Sequence, residues 1–246
     1  MPAYTYGRFV WRAHVSADPN ASQAFYAALF GWTFASAPGD KRADCVARAG
    51  ATLVCGFSAA SAATARPHWA TYLSMEDVDG AAAIAAISGG RVVTPPMDMN
   101  GLARCALIAD PQGASVHLLR GSEGDPPLAP RPAPFTFGWE ALRTADRAGA
   151  LGFYGRLAPW HVGELRGRTL FVAGTGNAAD VQTASPGMPS QWVPFVAVPD
   201  LTERRRMALA LGARVRVEEM VVSDVGRALV LEDPFGAVFG LLEPAP

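Results

Sequence analysis

The chain has 246 residues, half of them hydrophobic and 17% charged, and 21 Lys and Arg against 22 Asp and Glu leave a formal charge of −1. Charges this evenly matched give no basic field to gather a polyanion, so nucleic acid is not expected as the main partner. No run approaches the roughly 20 apolar residues of a membrane-spanning helix, no leader of basic then apolar residues opens the chain, and three cysteines (Cys45, Cys55, Cys105) are too few for a disulfide scaffold; a cytoplasmic protein is expected.

Residues 8–17 mix aromatic, β-branched and small side chains, which suits a strand. Asp18-Pro19 then supplies a helix start, with Asp as N-cap and Pro in the first turn, and Gly31 ends that helix. Trp32 opens a series of short strands reaching about residue 58. The plan recurs: a strand over 68–75, a helix capped by Asp77 and stopped by Gly89-Gly90, then strands near 91–96, 103–109 and 114–120. Asp110-Pro111-Gln112-Gly113 joins the last two as a tight turn, with Pro at its second position and Gly at its fourth. The stretch 121–134 holds five prolines and no apolar periodicity, so it reads as an extended connector.

Beyond the connector the chain repeats itself. Trp11, Asp18, Phe25-Tyr26, Leu29 and Trp32 correspond to Trp139, Asp146, Phe153-Tyr154, Leu157 and Trp160, each pair 128 positions apart. Trp69, Asp77, Gly89, Arg91, Arg104, Asp110-Pro111 and Gly113 correspond to Trp192, Asp200, Gly212, Arg214, Arg227, Asp233-Pro234 and Gly236, all 123 apart. Ala49-Gly50 falls on Ala173-Gly174, so the second copy is about five residues shorter, mostly in the turn after Trp32. A repeat with one localised deletion is the signature of duplication.

These residues carry a resemblance. Trp11…Asp18…Phe25-Tyr26…Leu29-Phe30-Gly31-Trp32, Asp77-Val78-Asp79 and Asp110-Pro111-Gln112-Gly113, with their later counterparts, resemble the vicinal oxygen chelate superfamily of glyoxalase I, extradiol dioxygenases, and fosfomycin- and bleomycin-resistance proteins. The resemblance covers essentially the whole chain outside the connector. It implies an α+β fold of two tandem domains, each a pair of βαβββ modules forming a cup-shaped curved sheet with helices outside. The first domain is expected over 1–120 (modules about 8–60 and 66–120), the linker over 121–134, and the second domain over 135–246 (modules about 135–184 and 190–243). Which modules pair to form each cup stays open, as does the choice between monomer and homodimer.

The same resemblance implies a divalent metal in the cup, held by His, Gln or Glu on the first and last strand of each module. The first-strand positions here are Trp11, Ala70, Trp139 and Val193, none of which can coordinate an ion. The last-strand positions are His117 and Gly240, with Cys55 and Ala179 the approximate equivalents in the other two modules. Two donors fall short of the three that catalytic sites use, so neither metal nor other cofactor is expected. The expected function is binding of a small organic molecule in a metal-free cup; the alternative is a lyase, isomerase or hydroxylase-like enzyme, with or without metal, using His117.

The binding candidates are the residues at the positions the resemblance implies, with neighbours added by strand alternation. His117 faces the cup, either as an acid or base near neutral pH or as a hydrogen-bonded wall. Tyr72 lines the same wall, and Trp11 and Cys55 complete the first cup. Trp139 and Arg143 line the second, where a guanidinium suits a carboxylate or phosphate and otherwise reaches solvent. The two tryptophans either bind a planar ligand or simply fill the cavity. His14 is matched by Leu142 and is expected to face the helices; His68 and His161 belong to the rim. Gly174-Thr175-Gly176 reads as a hairpin turn, and Arg204-Arg205-Arg206 as a solvated helix face.

Overall fold

A computed structural model describes residues 2–36, 45–61, 66–127, 129, 131–185, 187–222 and 225–245. The turn segment 37–44, where the two copies differ in length, and Leu128 and Pro130 of the connector lie outside the described residues. The first quarter comprises β1 (Phe9–Ser16), α1 (Pro19–Phe30), β2 (Thr33–Ser36), β3 (Cys45–Ala49) and β4 (Thr52–Ala59). The second comprises β5 (His68–Ser74), α2 (Val78–Ile87), β6 (Arg91–Asp98), β7 (Ala103–Ala109) and β8 (Ser115–Gly121). The third comprises β9 (Phe137–Thr144), α3 (Arg147–Leu157), β10 (His161–Leu165), β11 (Arg168–Ala173) and β12 (Gly176–Thr183). The fourth comprises β13 (Gln191–Ala197), α4 (Leu201–Ala210), β14 (Arg214–Val222), β15 (Gly226–Glu232) and β16 (Val238–Pro244). Each quarter is thus βαβββ, and the fold is α+β.

The strands form two eight-stranded sheets of identical order, β2-β3-β4-β1-β5-β8-β7-β6 and β10-β11-β12-β9-β13-β16-β15-β14. Quarters one and two share the first sheet, three and four the second. Within each quarter the strand before the helix pairs in parallel with the last strand, as β1 with β4 and β5 with β8, because the helix makes the crossover. Each crossover helix starts in the same way. Asp18, Asp77, Asp146 and Asp200 accept the N–H three residues on at 3.0, 2.9, 2.9 and 2.9 Å, each cap stabilising its helix by about 1 kcal/mol. Gly31 closes α1 at φ +70°, a left-handed conformation that glycine adopts without strain.

Packing divides the chain into two compact units that differ from the sheets. Unit 1 contains Met1–Trp11, Thr71–Leu128 and Glu140–Trp192; unit 2 contains Arg12–Ala70, Ala129–Trp139 and Val193–Pro246. In unit 1, α2 lies against α3; buried Ala81, Ala82 and Ala85 pack in one core with Phe153, Tyr154, Phe171 and Trp192. In unit 2, α1 lies against α4, around Tyr26, Leu29, Trp32, Phe57, Trp69 and Phe239.

Each core contains one buried polar network built on the Asp-Pro-x-Gly turn. In unit 2, Asp233 Oδ1 accepts the backbone N–H groups of Phe235, Gly236 and Ala237. Its Oδ2 accepts the Tyr26 hydroxyl at 2.9 Å and faces His14 Nε2 at 3.0 Å. The Tyr26 hydroxyl in turn accepts the indole N–H of Trp69 at 2.9 Å. His14 therefore packs among Tyr26, Phe57 and Trp69 on the helix side, as its parity requires. Unit 1 repeats part of the arrangement: the Tyr154 hydroxyl accepts the indole N–H of Trp192 and Asp110 Oδ1 accepts the backbone N–H groups of Gln112 and Ala114, but Asp110 Oδ2 makes no hydrogen bond among the described residues, and Leu142 stands where His14 would be.

Two surface expectations are altered. Arg204 is not a solvated side chain: it donates to the Leu29 carbonyl at 2.7 Å and stacks over Phe135 at 4.9 Å, capping the unit 2 core. The connector is anchored at Asp125, whose Oδ2 accepts from the Thr5 backbone and hydroxyl and from Ser74 Oγ. Among the described residues no helix is long and apolar enough to cross a membrane.

Asp233→Ala removes an acceptor from three backbone donors, Tyr26 and His14 at once. It is expected to cost about 3–5 kcal/mol in urea unfolding of the full chain, whereas Asp79→Ala, which breaks an exposed pair with Arg104, is expected to cost less than about 1 kcal/mol.

Candidate functional site

Alternation along β5 and β8 sorts the second quarter into two faces. Leu73, Val116 and Leu118 are fully buried in the unit 1 core, which turns Tyr72 and His117 to the opposite face. The parallel register sets Tyr72 directly beside His117. Their rings stack with centroids 4.3 Å apart and planes inclined by 15°. The Asp110–Gly113 turn then fixes the next register, pairing Leu107 with His117 and Cys105 with Leu119. Cys105 and Leu107 consequently share the His117 face, and Cys105 Sγ lies 3.8 Å from His117 Nδ1.

The last wall comes from an irregular strand. Pro95 and Pro96 remove two backbone donors, and the β6–β7 pairing slips on either side of Thr94. That segment and the residues after it bring Thr94, Met97 and Met99 over the Tyr72–His117 pair. They line an open-mouthed cavity of about 150 Å³ whose wall is mostly aliphatic, aromatic and sulfur-bearing. No charged side chain lines it. Burial in this apolar setting pushes the Cys105 thiol up to about 11, so near neutrality it is a protonated, weakly nucleophilic group.

The residues singled out from sequence are distributed unevenly. Tyr72 and His117 are brought together. Trp11 lies in unit 1, partly buried on the face opposite His14, and its indole N–H has no hydrogen-bond partner among the described residues. Trp139 belongs to unit 2 and is half-buried. Arg143 lies in unit 1 in a separate polar cluster with Gln182. Cys55 belongs to unit 2, wholly buried in its core with Ala47 and Phe57, whereas His117 belongs to unit 1. Odd-numbered positions on β4 face the helices there, since Phe57 stacks on His14, and desolvation raises the Cys55 thiol well above its ordinary value. Cys105, Met97 and Met99 were missed. The turn and the two flanking strands were readable, and counting back from Gly113 would have placed Cys105 diagonally opposite His117.

The fourth quarter shows what becomes of the same positions without the imidazole. Phe195 and Gly240 pair as Tyr72 and His117 do. A Cβ on Gly240 would collide with the Phe195 ring, so that ring occupies the space a side chain at 240 would need.

The donor set does not fit the metal that the fold family implies. Among the described residues no group of three or more His, Cys, Asp or Glu side chains stands together. Around His117 the neighbours are a buried, protonated thiol and a phenol ring.

Residues 9–118 match the family model of the glyoxalase/bleomycin resistance protein/dioxygenase superfamily. The anthracycline biosynthesis protein DnrV of Streptomyces peucetius is 30% identical over 281 residues, covering 99% of this chain and 95% of that protein. The chain belongs to this superfamily. CFP32 of Mycobacterium tuberculosis, whose name proposes a glyoxylase, is 29% identical over 254 residues, covering 99% of this chain and 97% of its own. Among solved structures, the Mn(II)-bound glyoxalase from Novosphingobium aromaticivorans superposes with a TM-score of 0.64 at 14% identity, covering 97% of this chain and 82% of that one. The 2,2',3-trihydroxybiphenyl 1,2-dioxygenase of Sphingomonas wittichii strain RW1 gives 0.63 at 14%, covering 97% and 91%. At those identities the structural likeness speaks for the fold. The superfamily's tandem arrangement of four βαβββ modules is what the two sheets display.

The Cys105 thiol offers a direct test of the cavity's polarity. With its pKa near 11, about one molecule in a thousand carries thiolate at pH 8. Iodoacetamide labelling of Cys105, followed by peptide mass spectrometry, is expected to be slow at pH 8 and to quicken about tenfold by pH 9. Because the folded value lies above the unfolded value of 9.0, the protonated thiol's contribution to stability is complete below pH 9 and is lost as pH rises toward 11.

Proposed function

We propose that the protein binds a small, planar, largely apolar organic molecule in the cavity of the second quarter, with no resident metal ion. The observation that carries this reading is the Tyr72–His117 stack forming one wall of an otherwise apolar space of about 150 Å³. A volume of that order takes one six-membered ring. Tyr72, Leu107, Met97 and Met99 supply apolar and polarisable contact, and adaptable methionines suit rings that vary in substitution. His117 and Thr94 are the polar groups that would orient a hydroxyl or carbonyl on the ligand. The name of DnrV, an anthracycline biosynthesis protein, supports an aromatic ligand, with one ring entering the cavity.

The second reading is an enzyme, a lyase, isomerase or hydroxylase-like protein in which His117 moves a proton. What favours it is the placement of an imidazole on the cavity wall, at the last-strand position where the superfamily places functional donors. His117 would then accept or deliver a proton at a ligand oxygen or an adjacent carbon, with Tyr72 holding the imidazole plane by stacking. The buried Cys105 thiol beside Nδ1 is neutral and would serve only to orient the ring.

Titration of the full chain with phenol by calorimetry tests the binding reading. Saturable binding is expected, weakened several-fold to about tenfold in His117→Phe through loss of one hydrogen bond and at least as much in Tyr72→Ala. Equal affinity in both variants would overturn it, as would a stoichiometric transition metal in protein purified without chelator. For the enzyme reading, once a turnover assay exists, His117→Ala is expected to lower kcat by about 100-fold or more; undiminished turnover would remove the proposed acid or base.

A further inference from the structure

We infer that the third quarter carries a second, separate binding site, selective for a carboxylate and anchored by Arg143. Arg143 stands near the end of β9 with only 8% of its surface exposed. Its Nη1 donates to Gln182 Oε1 at 2.7 Å, and no other hydrogen bond of that guanidinium is made among the described residues. Gln182 Nε2 donates in turn to Asp180 Oδ2 at 2.7 Å. Asp180 is 1% exposed and pairs directly with Arg168. The parallel register of β9 and β12 puts Asp180 beside Ala141 and Gln182 beside Arg143, so the polar groups share one face.

Arg168 is a direct partner of Asp180, whereas Arg143 reaches that carboxylate only through the Gln182 amide. Arg143 is left with a neutral amide, and desolvation holds its pKa below the ordinary arginine value in spite of Asp180. A cation this deeply placed destabilises the empty protein unless an anion completes it. The fold does not require the cluster. Ala13 pairs with Gly56 and Val15 with Ser58 in the first half, in the register that pairs Ala141 with Asp180 and Arg143 with Gln182 in the second. The same backbone is therefore built in the first half with Val15, Gly56 and Ser58, none of them charged. A guanidinium whose hydrogen-bonded partner is a neutral amide presents a planar fork that matches a singly charged, planar carboxylate better than a tetrahedral dianion.

The test uses the full chain, calorimetry and thermal unfolding, with benzoate, its neutral counterpart benzamide, and inorganic phosphate as probes. Benzoate is expected to bind saturably and raise the melting temperature by a few degrees at tenfold excess over its Kd, while benzamide does neither. Arg143→Met is expected to weaken benzoate binding at least tenfold, Arg143→Lys to restore part of it, and the unliganded Arg143→Met protein to melt no lower than wild type. The inference is overturned if no saturable carboxylate binding is found, if benzoate binds Arg143→Met as well as wild type, if benzamide matches benzoate, or if phosphate binds more tightly than benzoate. A marked loss of stability in unliganded Arg143→Met would assign the side chain to the fold instead. Because the readout depends on Arg143 and charge, and that of the His117 cavity on phenol and His117, failure at one site is distinguishable from failure at the other.

Discussion

The cost of burying a carboxylate without partners shapes this molecule most directly at the Asp233 turn. Asp233 is completely buried, and its two oxygens take three backbone N–H groups, one phenol and one imidazole contact. Through Tyr26 the same carboxylate reaches the indole of Trp69. A turn in the last quarter is thereby bonded to the helix and first strand of the first quarter. This is why the compact units combine quarters one with four and two with three, although each sheet takes its strands from consecutive quarters. A sheet records which backbones pair; a core records which side chains cannot be left in water, and the two partitions need not agree.

Duplication supplied a scaffold whose equivalent positions have since diverged in chemistry. Tyr72 and His117 keep a ring stack beside a cavity, while Phe195 and Gly240 fill the corresponding space with a single ring. Val15, Gly56 and Ser58 are inert where Arg143, Asp180 and Gln182 form a charged chain. Identical registers with unlike side chains separate what the fold needs from what a ligand would need. The two proposed sites accordingly differ in kind, one apolar with a single imidazole, the other cationic.

Much of this was legible in the chain itself. Four aspartates followed three residues on by an N–H donor marked four helices, and the two Asp-Pro-x-Gly turns marked the last hairpin of each half, because capping and turn chemistry are local. Period-two alternation placed His117 away from the core and His14 within it. The surroundings of Cys55 were not legible, since the family resemblance gave its position only approximately and the phase of β4 is set by Phe57 stacking on His14, a contact between residues far apart in sequence. Charge patterning on α4 likewise could not show that the Arg204 guanidinium covers Phe135 from another quarter.

The sequence by itself determined the βαβββ plan, its fourfold recurrence and the family, since caps, turns and repeat spacing act over a few residues and need no knowledge of neighbours. Only the tertiary structure decided which quarters share a core, that Cys105 rather than Cys55 stands beside His117, and that Arg143 sits in a buried chain with Gln182 and Asp180. Those outcomes depend on strand register and on side chains meeting across elements far apart in sequence, where a single residue of slip moves every group to the other face.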